Sequence, residues 1–246
     1  MVPLALRNNT CFWELKVSFL SFALSGLWPG RAFVAQVSTT PTKRPARMAV
    51  AILAVACLGA AGARAATLTV NTTADSSDSS CGSTCSLRDA INQANSDNSG
   101  DTIQFNSSLD GGTIMLGSAL PAINANITIT GPGANLLTIS GNNNFSVGSV
   151  FTISSGVTAS IGELTIANGG ASNGGGILNA GTLNLVWAAL SGNTATADGG
   201  GVHSSGTLNV YDSTFTGNSA NSGSGGGIAI YSGAAAAARW RSYPKG

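Results

Sequence analysis

Residues 174 to 195 read GGGILNAGTLNLVWAALSGNTA, residues 199 to 220 read GGGVHSSGTLNVYDSTFTGNSA, and a third copy opens with GGGIAIYSG at Gly225. Gly174 recurs as Gly199, Thr182 as Thr207 and Ser191 as Thr216, each 25 residues on. A fixed period of roughly 20 to 50 residues builds a solenoid, because one unit cannot bury its apolar face alone while a stack of units can. Leu183, Leu185 and Leu190 map onto Leu208, Val210 and Phe215, so each unit supplies several short strands and several corners. That is one coil of a parallel β-helix. Like residues then stack on like at about 4.8 Å per strand. The register predicts an internal aliphatic ladder of Ile177, Val202 and Ile228 and a corner ladder of Asn193 and Asn218.

A weaker unit precedes these, with Ile161, Leu164 and Ile166 about one period before Leu185, Ala188 and Leu190. From Asp101 onward the apolar residues alternate: Ile103 and Phe105, Ile114 and Leu116, Ile127 and Ile129, Leu137 and Ile139, Phe151 and Ile153. Period two marks short strands. DGG, GPGAN and GNNN separate them, since Gly and Asn tolerate the positive φ of sharp corners. Residues 101–233 are therefore expected to form an all-β solenoid of about five coils, more than the roughly three needed for a continuous core.

The charges divide along the chain. From Ala66 to Gly233 there is one basic residue, Arg88, against nine acidic ones, a net charge of about −8. Such a body excludes nucleic acid as a partner, which demands clustered Lys and Arg. Lys43, Arg44 and Arg47 precede an apolar run from Met48 to Ala61, and Ala63, Arg64 and Ala65 follow in small-x-small order. This is the layout of a secretory signal peptide over residues 48–66, cleaved after Ala65 or Ala66. The run is shorter than the roughly 20 apolar residues of a membrane span. Residues 1–47 carry no clear period and are expected to be a mis-assigned or unstructured extension. Residues 234–246 abandon the repeat, with Arg239, Trp240, Arg241 and Lys245 close together. They are expected to be an atypical basic tail from a shifted frame or fragment end, with a true basic tail as the alternative.

Residues 67–100 read as an N-terminal cap. Cys81 and Cys85 in CGSTC are expected to form a disulfide in an exported chain, because a metal needs about four ligands and neither another mature Cys nor a nearby His exists. CSLRDAINQAN reads as a short helix with Ser86 and Asp89 as its capping box. Leu87, Ala90, Ile91 and Ala94 form one apolar stripe, the pattern of a lid over an apolar interior.

The stretch TLTVNTTADSSDSSCGSTCSLRDAINQANSDNSGDTIQF, residues 67 to 105, resembles the CSLREA N-terminal domain of bacterial secreted β-helix proteins, with Asp89 where Glu is more usual. The GGGI and FTGN units resemble the GGAI and FxxN repeats of polymorphic outer membrane proteins, Phe215 and Asn218 filling the second motif and Leu190 replacing its Phe in the preceding copy. These resemblances imply a right-handed, pectin-lyase-like β-helix, secreted or displayed at the outer membrane or cell surface. They also imply a membrane link through a further anchoring domain; the expected partners are host or cell-surface glycans or proteins, and no cofactor is expected.

Chemistry finds few candidates. The lyases of this fold are implied to use acidic residues for calcium and an Arg or Lys as base, but no Lys or Arg lies between Arg88 and Arg239. Glu163, Trp187 and Asp212 align on successive coils, which puts the carboxylates about 10 Å apart, beyond the roughly 6.5 to 9.5 Å of an inverting glycosidase pair. A corner favours Asp for its turn geometry alone. Trp187 and Tyr211 are the exposed aromatics expected for glycan stacking. His203 follows inward Val202, and alternation points it to solvent. Asp75, Asp78, Asp97 and Asp101 offer hard oxygen ligands for calcium but lack EF-hand spacing, so solvated loop charges are their expected role. Three classes remain: a structural or adhesive rod, which needs no site; a polysaccharide hydrolase or lyase, which needs converging carboxylates; and a glycan-binding rod, which needs aromatics along one face. The first is the expectation, with no catalytic residue.

Overall fold

The computed structural model describes residues 13–15, 39–41, 64–78, 80–231 and 233–239. Two units are distinct, Met1–Gly62 and Ala63–Gly246. In the first, Trp13–Leu15 pairs antiparallel with Thr39–Pro41, two short strands inside the expected extension. Residues 48–63 of the expected signal peptide and residues 240–246 lie outside the described residues.

The second unit is a parallel β-solenoid of about five turns. Sheet A stacks seven strands in the order Ala235–Arg239, Thr207–Tyr211, Thr182–Val186, Thr158–Gly162, Ile127–Thr130, Thr102–Phe105, Thr67–Val70. Sheet B stacks Thr214–Thr216, Ala189–Ser191, Thr165–Ala167, Leu137–Ser140 and Gly112–Met115. Sheet C stacks Ile228–Ile230, Val202–Ser204, Ile177–Asn179 and Phe151–Ile153. Every pair within them is parallel and joins successive coils.

Register turns the alternation into columns. Leu68, Ile103, Ile129, Ile161, Leu185 and Val210 stand one above another in sheet A, all buried. Ile114, Ile139, Ile166 and Leu190 do the same in sheet B. The predicted column of Ile177, Val202 and Ile228 lines sheet C, and Phe151 of the preceding coil extends it. Each of the fully buried side chains in these columns adds roughly 1.5 to 3 kcal/mol by leaving water. One column changes character: Ile123 and Ile153 are followed by Asn179 and Ser204, both fully buried. Asn179 Nδ2 donates to Ser204 Oγ at 2.9 Å and to the Thr207 carbonyl at 2.9 Å, so the polar step is satisfied.

The helix α1, Leu87–Asp97, begins at Ser86 with the predicted capping box, and its stripe of Leu87, Ala90, Ile91 and Ala94 is buried in the common core. Its polar face clamps the first coil. Arg88 pairs with both carboxylate oxygens of Asp75 at 2.9 and 2.8 Å and donates to the carbonyls of Ser118 and Ala119. Asn95 donates to the Ala122 carbonyl and accepts the N–H groups of Asn124 and Ala125. Cys81 and Cys85 are joined in a disulfide.

Two expected boundaries move. Coils were expected to start at Asp101, yet Thr67–Val70 already pairs in register with Thr102–Phe105. The basic tail was expected to leave the coils after Gly233, yet Ala235–Arg239 pairs parallel with Thr207–Tyr211. That strand is exposed along its length. Backbone pairing with the edge of Thr207–Tyr211 holds it, and such pairing needs no apolar period for a sequence reading to find.

Candidate functional site

Each of the two complete repeats turns through left-handed residues at three corners. The corner after sheet B is made by Asn168, Gly192 and Gly217 on successive coils, with φ of 55°, 63° and 63°. The corner before sheet C is made by Gly174, Gly199 and Gly225, where φ is 62° to 71°. A Cβ there would also meet backbone, at 2.3 Å from the Ile177 carbonyl oxygen for Gly174, so the triplet's first position admits only glycine. The corner after sheet A breaks the pattern, for its left-handed residues are Glu163, Trp187 and Asp212, with φ of 55°, 51° and 45°. Left-handed backbone costs an L-residue roughly 1 to 2 kcal/mol. A bulky aromatic is an outlier there.

The corner's backbone explains its shape. Glu163, Trp187 and Asp212 donate their N–H groups to the carbonyls of Val186, Tyr211 and Arg239, which carries the hydrogen-bond ladder around the turn. The three side chains thus align as the period predicts. The indole is half exposed and its Nε1 donates to Asp212 Oδ2 at 3.3 Å. The two acidic residues stand two rungs apart with Trp187 on the rung between them. Tyr211 aligns with Val186 and Arg239 rather than with Trp187, so the two aromatics are offset by one strand position.

His203 departs from expectation. Its ring leaves the coil interior as alternation requires, yet it is only 8% exposed. Tyr231 from the next coil covers it, with ring centroids 5.6 Å apart at 57°. The imidazole lines a cavity of about 540 Å³ with Asp198, Ser224, Ile228, Ile230 and Tyr231, and its Nδ1 has no hydrogen-bond partner. Alternation tells inside from outside a coil but not whether a neighbouring corner folds over the outside. The polar wall had a sequence signal: Asn173, Asp198 and Ser224 each precede a glycine triplet. Asn173 Oδ1 accepts the Asp198 N–H, and Asp198 Oδ1 accepts the Ser224 N–H at 2.6 Å.

Asp75 is engaged by Arg88 and by the Gly117 N–H, and no group of three or more His, Cys, Asp or Glu assembles among the described residues. Asp101 is fully buried. Its Oδ1 accepts from Ala66 N–H at 2.7 Å and from Ser99 Oγ, while Oδ2 has no partner. Compared with known proteins, the chain matches no family model, no curated protein and no solved structure.

Proposed function

We propose that this chain is an exported β-helix with a structural or adhesive role at the cell surface, in the manner of the CSLREA-type and polymorphic outer membrane proteins that its motifs resemble. The observation that carries the reading is the use made of polar side chains. Asn193 donates to Asn218, Asn209 to Asn184, Asn179 to Ser204, and Asp198 accepts from Ser224, each contact joining one coil to the next. Chemistry-bearing groups are thereby spent on stacking, and the two aligned carboxylates are interrupted by an indole. The partners are cell-surface glycans or proteins.

The purified full chain, incubated with pectin, xylan and β-glucans, is expected to release no reducing ends and to bind saturably to glycan- or protein-coated surfaces. Release that disappears in Glu163→Gln or Asp212→Asn would replace this reading with a hydrolase. A second reading, a glycan-binding rod, is favoured by Trp187, a half-exposed aromatic kept at a strained corner. It requires that Trp187→Ala abolish binding to glycan surfaces.

A further inference from the structure

We propose that export processing cuts the Ala65–Ala66 bond and that the new α-ammonium of Ala66 docks onto the buried carboxylate of Asp101, completing the N-terminal cap. The proposal rests on the export reading, and it resolves the two cleavage positions that the sequence leaves open. Hydrolysis adds water across the bond: the Ala65 carbonyl carbon takes the hydroxyl and leaves as a carboxylate, and the Ala66 nitrogen takes hydrogen and is protonated near neutral pH. The catalyst is a signal peptidase acting on a small-x-small site.

The geometry at this point is prepared for a charge it does not yet hold. Asp101 is 0% exposed, and a buried carboxylate is costly unless it is paired and fully hydrogen-bonded. Here Oδ1 accepts the Ala66 N–H at 2.7 Å while Oδ2 is enclosed without a partner. A peptide nitrogen supplies one donor and no charge. An ammonium at the same atom supplies three donors and the missing countercharge. Arg64 and Ala65 are exposed, so the bond is open to a protease, whereas Ala66 is half-buried against the core. The Ala66 carbonyl accepts the Thr102 N–H at 2.8 Å, so Ala66 already belongs to the first rung. A cut after Ala66 would discard both contacts. A cut after Ala65 keeps one and strengthens the other.

The full precursor is expressed in an exporting bacterial host, and the exported product is sequenced from its N-terminus. The expected first residue is Ala66. A start at Thr67 or elsewhere overturns the docking while leaving export intact; an uncleaved product overturns both. Asp101→Asn is then compared in the exported form and in the cytoplasmic, uncleaved precursor. The expected loss is roughly 6 to 12 °C in Tm for the exported form and little or none for the precursor, where Asn still accepts the Ala66 N–H. Equal losses in the two forms overturn the proposal. Should the exported variant fail to fold, acylation of the wild-type protein decides: the α-amine is expected to react at least about tenfold more slowly than the same amine after unfolding in urea. Equal rates overturn the proposal.

Discussion

At the scale of the residue, this chain uses ordinary polar side chains as mortar. Asn193 is fully buried; its amide donates to Asn218 and to the Ile166 carbonyl, while its oxygen accepts the Gly169 N–H. Asn193→Ala strands several of these groups and is expected to cost about 2 to 4 kcal/mol in urea unfolding. Asn218→Ala, on a half-exposed rung, is expected to cost about half as much or less; equal costs would show that burial is not what makes the ladder expensive to break. Trp187→Gly relieves the left-handed backbone and is expected to raise stability by about 0.5 to 1 kcal/mol. A clear loss instead would mean that indole packing outweighs the strain, removing the reason to see Trp187 as kept for its exposed ring. Both ladders of like residues were legible from the 25-residue period. The burial of His203 was not, because Tyr231 reaches it from another coil.

At the scale of the element, the helix α1 shows what local pattern reveals and what it hides. Ser86, Asp89 and the apolar stripe declare the cap and the covered face because their contacts fall within one or two turns. Arg88 and Asn95 hold residues 27 to 31 positions away, and no periodicity announces such reach. Arg88→Leu leaves the Asp75 carboxylate without its cation, with only the Gly117 N–H still donating to it, and removes the guanidinium's bonds to the Ser118 and Ala119 carbonyls. It is expected to cost about 3 kcal/mol, with a large part recovered in the Arg88→Leu, Asp75→Asn double variant. Additive losses in that cycle would mean that the pair does not act as one unit. The strands at Thr67 and Ala235 were missed for a related reason: strand pairing is decided by the neighbouring edge as much as by a segment's own alternation.

At the scale of the whole solenoid, the repeat makes length a modular quantity. Deleting residues 174–198 joins Asn173 to Gly199 as Asp198 is joined now, and it should leave a folded, shorter solenoid with β circular dichroism and a cooperative melt. Deleting half that length breaks every column and is expected to abolish the melt. If both deletions behave alike, the coil is not the folding unit. The fold class was legible in the sequence because identical units must stack identically. The candidate site was only partly so, since alignment placed Glu163, Trp187 and Asp212 together while the covering of one coil by the next lay outside any one-dimensional pattern.

The parallel ladders also decide how this molecule answers to force. Every strand-to-strand hydrogen bond in sheets A, B and C joins one coil to the next, so a pull between Thr67 and Arg239 falls on one terminal coil at a time rather than on all of them together. Under tension the solenoid should peel like thread from a spool, lengthening in steps of about 80 Å as each 25-residue turn comes free. It would then act as an extensible tether, yielding in increments where a sandwich or barrel of equal stability would break all at once.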